Sequence, residues 1–514
     1  MPTPRFAYLR SEPVSRRVLR HQREALLTVI ILFGALLRFA GLGKESLWGD
    51  ELSTWLVSSL PSARDIITFV AAKEAHPPGY YLLIHMVERA FGTSEAVLRL
   101  PSAVAGLLCV PAIYLLGARL YGKSEALIAA GLIAVAPTAI YYSQEARSNA
   151  FLMLFPILTT YLWLFVVGFA TTSPARTRLA SVSFAAVSIL LAFIHYYGTL
   201  FVALQALWSG IAALRNRGIR RRLIAIYGVL IIAFAPWLTA LPGQLDVHGE
   251  YWLPQPTPLA FLDFLRFTFG YSSVLLLVSL SVLTLSLARS FARMVRSKAL
   301  GHIHVSIFTA MLLVWFLSPF VAAYLISITV APILLARSLI VSLPAAYLLL
   351  ARATSKATAN GLLRLALALV LMAIASRHLI IGMRYYSAAH KQQLREALTY
   401  IRTVRPQYPN SIIATYAQAL DLAEFDYYLH PTRPSESVQL LAGRDDQIAQ
   451  FAASVQDSHA QFVWYIKTWR SPDSGFLAYL NTDYCLLREE SFIGVEVRLL
   501  QVGPCDAAPT RNSP

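Results

Sequence analysis

Long apolar runs, separated by short polar segments, fill the first three quarters of the chain. About eleven of these runs are long enough to cross a hydrocarbon layer roughly 30 Å thick. They lie at residues 25–42, 98–118, 124–142, 149–170, 179–197, 199–214, 223–242, 272–288, 305–330, 334–351 and 361–383. A further run at 79–92 is too short to cross and carries Glu88 and Arg89, so we assign it to the membrane interface. The pattern predicts an all-α polytopic membrane domain.

From about residue 384 the apolar runs become shorter and the pattern changes. Helix-like stretches alternate with runs of strand composition, such as QFVWYIK and FIGVEVRLLQV. We therefore predict a transmembrane domain at 1–383, containing a long first loop at 44–97, and a small C-terminal α/β domain at 384–514.

The distribution of basic residues predicts the orientation in the membrane. Cytoplasmic loops carry an excess of Lys and Arg. The loops on the side of the arginine-rich N-terminus all contain such residues: Arg119 and Lys123, Arg176 and Arg178, and the segments 215–222, 289–298 and 352–356. The opposite loops, 143–150, 195–198 and 242–258, are poor in them. We expect a plasma (inner) membrane protein with a cytoplasmic N-terminus and an extracytoplasmic C-terminal domain.

Composition agrees with this picture and excludes other classes. Apolar residues make up 56% of the chain and charged residues 14%, which excludes an ordinary soluble domain. The net charge of +16 is explained by the basic loops, so we do not expect nucleic acid binding. The three cysteines show no metal-ligand spacing, and Cys109 lies in an apolar run. Cys485 and Cys505 lie in the part of the chain that we predict to face an oxidising compartment. They form either a disulfide or two free thiols, and the sequence does not decide between these alternatives.

The first extracytoplasmic loop carries the most suggestive chemistry. LWGDELS places Asp50 and Glu51 just beyond the outer end of the first helix. The segments ELSTWLVSSL and PSARDIITFVAA are amphipathic, as in helices that lie in the interface plane. In KEAHPPGYY, two prolines fix the direction of His76, which can bind an anion or move a proton.

Further ionisable residues fall on the same predicted side: Glu145 and Arg147, His195, Arg337, Arg38 and Arg99. Such groups are expensive at the edge of a bilayer and are kept mainly where they pair or line a functional cavity. Together they indicate a site for an anionic substrate, and a membrane-embedded phosphate would fit. Simpler interpretations also remain open: a helix cap for Asp50, a loop histidine for His76, and arginines that reach the lipid head groups.

The order of four motifs resembles a known family. LLRFAGLGKESLWGDELS, HPPGYYLLIHMVERAFGTSEAVLRLPSAVAGLL, PTAIYYSQEARSNAFLMLF and LARSLIVSLPAAYLLLA are similar to GT-C glycosyltransferases of the protein O-mannosyltransferase and aminoarabinose transferase type. The resemblance is close over about residues 30 to 200, loose in the tenth span, and limited to position for the C-terminal domain. It implies inverting transfer of a sugar from a polyprenyl-phosphate carrier to an extracytoplasmic acceptor, which is a glycan, a lipid or a protein.

The resemblance also implies roles for individual residues. Asp50 corresponds to a general base, and Glu51 to a residue that orients the acceptor or the phosphate. His76 corresponds to a basic residue that contacts the lipid phosphate. We expect the remaining substrate-binding and lipid-phosphate-binding residues to be Glu145, Arg147, His195, Arg337 and Arg99. Many relatives have Arg-Tyr where this chain has Arg337 and Ser338, so the aromatic contact of that motif is in question here.

The energy for such a transfer comes from the activated carrier, so no cofactor is required, and the sequence has no nucleotide-binding motif. A divalent cation is compatible with the carboxylates but not required. The alternative function is a transporter or flippase for a lipid-linked or anionic substrate, although the chain lacks the internal duplication typical of transporters. A lipid-binding scaffold without turnover is a third interpretation.

Overall fold

The structure is a computed structural model that describes residues 14–169, 173–247, 254–296, 306–416, 425–429, 438–441, 447–468, 474–503 and 505. The arginine-rich residues 1–13 and parts of two predicted loops, 248–253 and 297–298, lie outside the described residues. The chain forms two compact units. The helical unit comprises Met1–Ala40, Val70–Tyr80 and Ser102–Met383, and the mixed unit comprises Gly41–Phe69, Tyr81–Pro101 and Arg384–Pro514.

Helices account for nearly all of the regular structure before residue 384. In chain order they are α1 Val14–Phe39, α2 Gly49–Ser58, α3 Ala63–Lys73, α4 Gly79–Phe91, α5 Glu95–Leu120, α6 Lys123–Val135, α7 Pro137–Tyr141, α8 Asn149–Val166, α9 Pro174–Ile194, α10 Tyr196–Arg215, α11 Arg217–Phe234, α12 Leu241–Val247, α13 Ala260–Thr268, α14 Ser273–Arg296, α15 Ile307–Thr329, α16 Leu343–Ala357 and α17 Gly361–Arg377. Short 3-10 turns at Ala235–Ala240 and Ala336–Ser342 precede α12 and α16, and a π-helical turn at His378–Gly382 follows α17.

Within the described residues, nine helical segments are long and apolar enough to cross a membrane. Each of them coincides with one of the predicted apolar runs, which confirms a polytopic helical domain, but the predicted number of eleven is not confirmed. The first run forms α1, which carries charges near both of its ends. The third run is broken: α6 has 13 residues and ends at Ala136, immediately before Pro137 starts a new helix.

Burial shows which helices form the interior of the helical unit. In the span Ala336–Ala357, which contains α16, 89% of the most apolar window is buried, against 22% in Arg217–Gln244. The span Asn149–Val166 is 67% buried. Segments α8 and α16 therefore occupy the core, and α11 presents apolar side chains outward, as expected of a helix in contact with lipid. Short turns between helices are stabilised by side-chain caps: Asn216 and Asn360 each accept two backbone N–H bonds at the starts of α11 and α17.

The mixed unit contains a five-stranded sheet formed by C-terminal residues. Its elements are α18 Leu394–Val404, β1 Ser411–Tyr416, α19 at 425–429, β2 Val438–Leu441, α20 Gln447–Asp457, β3 Phe462–Lys467, α21 Ser474–Asp483, β4 Tyr484–Phe492 and β5 Val495–Val502. The strand order is β2-β1-β3-β5-β4. Strand β1 is parallel to β2 and β3, whereas β5 is antiparallel to β3 and β4.

Alternating side chains bury both faces of this sheet. On one face, Val463 and Tyr465 of β3 pack with residues of α20 and α21, including Phe451 and Phe476. On the other face, Trp464 contacts Tyr400 of α18, with ring centroids 6.2 Å apart. The predicted small C-terminal α/β fold is confirmed. Cys485 of β4 forms a disulfide with Cys505, which resolves the alternatives left open by the sequence.

Candidate functional site

The predicted site residues fall into two groups, one in each unit. The mixed unit holds the carboxylate cluster, which we define as Asp50, Glu51, Arg99 and Lys391. The helical unit holds the histidine–arginine cluster, which we define as His76, Glu145, Arg147, His195 and Arg337.

Asp50 and Glu51 lie in the first turn of α2. The positive end of the helix dipole favours carboxylates at these positions. Trp48, not Asp50, occupies the N-cap position, and its carbonyl accepts bonds from the backbone N–H groups of Glu51 and Leu52 at 2.8 and 3.0 Å. Asp50 is therefore not the capping residue. Consecutive helical residues point about 100° apart, and the two carboxylates have different surroundings: Asp50 is half-buried and Glu51 is completely buried.

Glu51 is neutralised within the protein. Arg99 donates to both of its carboxylate oxygens, from Nε to Oε1 at 2.7 Å and from Nη2 to Oε2 at 2.7 Å. The ammonium of Lys391 lies 3.1 Å from Oε2. The side chains of these two cations are 2% and 4% exposed, so all three charges are removed from solvent. A buried carboxylate is tolerated when it is paired and hydrogen-bonded in this way.

Arg99 uses every one of its N–H donors. Besides the two bonds to Glu51, Nη1 donates to the carbonyls of Leu42 and Glu45 at 3.0 and 2.8 Å, and Nη2 donates to the carbonyl of Ser46 at 2.9 Å. A guanidinium has five N–H donors, so none is left for a phosphate. This saturation argues against the phosphate contact expected for Arg99 and indicates that it fixes the chain segment preceding α2.

Lys391 could not be identified as a site residue from the sequence. It follows the last apolar run by only a few residues, in the polar stretch HKQQLRE, and no periodicity or motif distinguishes it from a solvated lysine. Lys391 is only 6% exposed, and this burial is the feature that identifies it. The burial can be seen only in the folded chain.

In the helical unit, the rings of His76 and His195 form an edge-to-face pair with centroids 4.9 Å apart and planes at 74°. Local backbone geometry brings them together. Gly79, at the start of α4, approaches so closely that a Cβ atom there would lie 2.6 Å from the carbonyl oxygen of Phe193 in α9. His195 follows α9 directly, so the absence of a side chain at Gly79 permits the contact.

His195 is a neutral hydrogen-bonding group. It lies between α9 and α10 and serves as the N-cap of α10, where its Nδ1 accepts from the backbone N–H of Tyr197 at 3.1 Å. Burial lowers the pKa of this histidine, and the nearby guanidinium groups of Arg147 and Arg337 lower the pKa further. Because Nδ1 is an acceptor, the proton of the neutral ring is on Nε2, which makes His195 a donor without a charge.

The loop between α7 and α8 positions Glu145 and Arg147. Glu145 is 1% exposed and accepts from Nδ2 of Asn149 at 3.1 Å. The hydroxyl of Ser102 in α5 donates to the carbonyl of Arg147 at 2.9 Å. The Gln144 amide donates to carbonyls at the end of α1, including that of Ala40 at 2.9 Å, which satisfies groups that a helix end leaves without partners. These bonds fix the loop from several sides.

Arg337 lies in the 3-10 turn before α16 and is half-buried. It acts electrostatically on Tyr142 as well as on His195. Burial and the Glu145 carboxylate raise the pKa of Tyr142, and the Arg337 guanidinium partly opposes this rise. The structure thus brings the two arginines and His195 together. Ser338, which stands where the family resemblance implies an aromatic residue, is only 4% exposed.

Arg38, the other cation expected near the outer boundary, is fully buried and caps a helix. Its Nη1 and Nη2 donate to the carbonyls of Ala134 and Ile133 at 2.9 Å each. These carbonyls lie at the C-terminal end of α6, where the helix dipole favours a cation.

The two clusters offer different chemistry. The carboxylate cluster presents one half-buried carboxylate, Asp50, beside an ion-paired one. The histidine–arginine cluster presents two guanidinium groups and a neutral N–H donor, a combination suited to an anion. Among the described residues, no group of three or more His, Cys, Asp or Glu side chains is arranged to hold a metal ion.

Part of the chain matches the model of a known protein family. Residues 75–239 match the family model for dolichyl-phosphate-mannose-protein mannosyltransferase. This range contains His76, Glu145, Arg147 and His195. No curated protein matches the sequence at a significant level.

Solved structures match over nearly the whole chain. ArnT from Cupriavidus metallidurans in the apo state has a TM-score of 0.61 and 15% identity, with 94% of this chain and 98% of that chain covered. The same protein bound to undecaprenyl phosphate has a TM-score of 0.55 and 14% identity, with coverage of 95% and 98%. The archaeal oligosaccharyltransferase AglB from Archaeoglobus fulgidus, in complex with an inhibitory peptide and a dolichol-phosphate, has a TM-score of 0.52 and 14% identity, with coverage of 96% and 75%. The chain has the GT-C glycosyltransferase fold, as the sequence motifs predicted.

Proposed function

We propose that this chain of GT-C fold is a membrane glycosyltransferase that moves a sugar from a polyprenyl-phosphate carrier to an extracytoplasmic acceptor, with inversion at the anomeric carbon. The observation that carries the proposal is the pair of carboxylates at the start of α2. Glu51 is completely buried and binds Arg99 and Lys391, and its neighbour Asp50 is half-buried at the positive end of the helix. The similarity of the fold to ArnT bound to undecaprenyl phosphate supports the choice of donor class.

In the proposed reaction Asp50 is the general base. Its carboxylate accepts the proton of an acceptor hydroxyl or amine as that group forms a bond to the anomeric carbon of the sugar. The bond from this carbon to the phosphate oxygen breaks, and its electron pair leaves with the polyprenyl phosphate. A single displacement inverts the anomeric configuration, because base and leaving group act on opposite faces of the sugar. The proton on Asp50 then passes to solvent.

The leaving phosphate gains negative charge as the bond breaks, so cations near it lower the barrier. We assign this task to Arg147 and Arg337, with Nε2–H of His195 as a neutral donor and His76 as a further contact. Glu145, which is buried and bonded to Asn149, orients this loop rather than the phosphate in our proposal. No cofactor is needed for these steps, and a divalent cation is compatible with them.

We further propose that the protein is a multi-pass protein of the plasma membrane with its N-terminus in the cytoplasm and its C-terminal residues outside. The acceptor is then a glycan, lipid or protein of the cell envelope. The test of orientation is the accessibility of single engineered cysteines to an impermeant maleimide in intact cells, at Arg176 for the inner side and at Glu490 for the outer side.

The test of function is transfer of radiolabelled sugar from a panel of polyprenyl-phosphate sugars by the purified protein in nanodiscs, with membrane extract as the source of acceptor. Asp50→Asn should reduce transfer by about 100-fold or more, the typical contribution of a positioned base, while donor binding is kept. Asp65→Asn is the matched control, because Asp65 also lies in the first turn of an outer-loop helix but is exposed. Normal turnover in Asp50→Asn would rule out the assigned base. Binding of donors without turnover by the unmodified chain would favour a transporter or a scaffold.

A further inference from the structure

Lys391 is a second cation bound to Glu51. Arg99 donates to both oxygens of this carboxylate, and Nζ of Lys391 lies 3.1 Å from Oε2. The Lys391 side chain is only 4% exposed. Removal of one partner from a buried ion pair is strongly destabilising, because it leaves a buried charge uncompensated. The contact therefore holds Lys391 and α2 together.

Gln392, the next residue, holds the chain just before α2. Its Oε1 accepts from the backbone N–H of Gly49 at 3.1 Å, and its backbone carbonyl accepts from the hydroxyl of Ser46. Its Nε2 donates to the carbonyl of Gly494 at 3.4 Å, and the residue is 5% exposed. Gln392 thus connects the start of α2 to the turn between β4 and β5.

Two further bonds hold the same stretch from the C-terminal residues. The backbone N–H of His390 donates to Oε1 of Glu45 at 3.0 Å. The backbone N–H of Leu47 donates to the phenol oxygen of Tyr428 at 2.6 Å. The segment 45–51, which ends in the two carboxylates, is thereby bonded at several successive positions to residues more than 300 positions later in the chain.

These contacts control the rotation of α2 about its axis. A carboxylate at the surface of a helix lies roughly 5–6 Å from the axis, so a rotation of about 10° moves it by roughly 1 Å. A displacement of this size can reduce the rate of a positioned reaction by as much as about 100-fold. Lys391 fixes α2 through Glu51, and Gln392 fixes it through the N–H of Gly49. Asp50 lies between these two points of attachment.

We propose that Lys391 and Gln392 are positioning residues that hold the Asp50 carboxylate in the orientation required for transfer. The proposal rests on the proposed function and extends it, because it gives the segment that follows the last span a direct part in the rate of the reaction. Neither residue needs to touch a substrate. Their effect passes through Glu51 and through the backbone of Gly49.

The test compares Lys391→Met, Lys391→Arg and Gln392→Leu with Lys467→Met in nanodiscs. Lys467 is the matched control, because it also pairs with a glutamate in the mixed unit, at 3.4 Å from Glu496. Lys391→Met and Gln392→Leu should lower kcat by about tenfold or more with the donor KM changed less than twofold. Lys391→Arg should retain at least half of the kcat of the unmodified chain, and Lys467→Met should leave kcat unchanged.

Backbone hydrogen exchange followed by mass spectrometry supplies a readout that does not depend on activity. In Lys391→Met the amides of residues 45–52 should exchange about tenfold faster, with those of β3 and β5 unchanged. Unaltered exchange in 45–52, or equally faster exchange throughout the mixed unit, would overturn the proposal, as would unchanged kcat in both Lys391→Met and Gln392→Leu. If Lys391→Met does not fold, Gln392→Leu decides by the same criteria, and a Lys391→Arg variant with less than half of kcat would overturn the role of Lys391. If the unmodified chain transfers no sugar from any donor, the proposed function fails, and the exchange experiment still tests the positioning contact by itself.

Discussion

Replacement of Arg99 by methionine should destabilise the mixed unit strongly while leaving donor affinity in the folded fraction intact. The substitution keeps a long apolar side chain but removes all five donors. It leaves Glu51 buried beside Lys391, and it leaves the carbonyls of Leu42, Glu45 and Ser46 without the bonds they now accept from Arg99.

The magnitude follows from these contacts. Breaking a buried ion pair by removal of one partner costs about 3–5 kcal/mol. Each buried carbonyl that loses its donor adds about 1 kcal/mol or more, less what water regains after relaxation. The total of about 5 kcal/mol corresponds to a fall of roughly 10 °C or more in the unfolding midpoint, at about 2–4 °C for each kcal/mol in a unit of this size.

The assay is thermal unfolding of the purified protein in detergent, followed by size-exclusion fluorescence, together with donor binding to the fraction that remains folded. Arg395→Met is the matched control. Arg395 pairs with Glu95 at 2.8 Å in the same unit, but its side chain is 32% exposed, so its loss should cost only about 1 kcal/mol or less. Arg99→Lys should give an intermediate midpoint, because an ammonium has three donors instead of five.

One result would refute this reasoning. If Arg99→Met unfolds within about 2 °C of the unmodified protein but no longer binds the donor, then Arg99 contacts the phosphate and its bonds to the outer loop are dispensable. The phosphate contact that the sequence analysis expects for Arg99 would then be supported.

Three further outcomes are expected. Arg337→Met should lower kcat/KM for the donor by about tenfold in the transfer assay, because it removes a cation proposed to stabilise the leaving phosphate. Since the pKa of His195 is lowered in the fold, its contribution to stability is present above the unfolded pKa of about 6.5 and is lost as pH falls below that value. Between pH 7.5 and pH 5.5 the unmodified protein should lose about 1.4 kcal/mol of stability through His195. His195→Asn should lack this part of the loss when both proteins are compared by thermal unfolding. The double variant Cys485→Ser, Cys505→Ser should unfold with a stability lower by about 2–4 kcal/mol.

Each of these outcomes has a control. Arg266→Met tests whether any loss of a cation from the helical unit alters kcat/KM, since Arg266 is exposed and its ion pair with Asp263 is exposed too. Asparagine at position 195 retains an N-cap acceptor for α10, so an equal pH dependence in variant and parent would contradict the assignment of His195 as the titrating group. A double serine variant whose midpoint equals that of the parent under non-reducing conditions would show that the disulfide does not constrain the sheet.

The membrane spans and the C-terminal strands could be predicted from the sequence, because both depend on local composition. The run QFVWYIK is rich in β-branched and aromatic residues, which predicts strand β3. The break between α6 and α7 was less visible. Apolar composition continues through Pro137, and only the backbone shows that the helix ends there.

The site was only partly accessible. The motif LWGDELS drew attention to Asp50 and Glu51, but not to the difference in their burial, which depends on where Arg99 and Lys391 arrive in the fold. The role of Arg99 depends on three backbone carbonyls, and a carbonyl is present at every position of a chain. No pattern of side chains can indicate which carbonyls will face a guanidinium. The pairing of Cys485 with Cys505 likewise depends on strand register, which a single sequence leaves open.

The bond between Gly49 and Gln392 spans 343 positions of the chain. At about 5–20 residues per second, the ribosome reaches Gln392 roughly 17–70 seconds after it has made Gly49. During that time every predicted membrane segment after the first is being synthesised, and the start of α2 lacks its bonds to Lys391 and Gln392. The order of synthesis therefore separates two events. Asp50 is synthesised early, but its orientation can be fixed only after Lys391 and Gln392 have been synthesised. A chain that stops in the membrane region is left without the contacts that would orient its carboxylate.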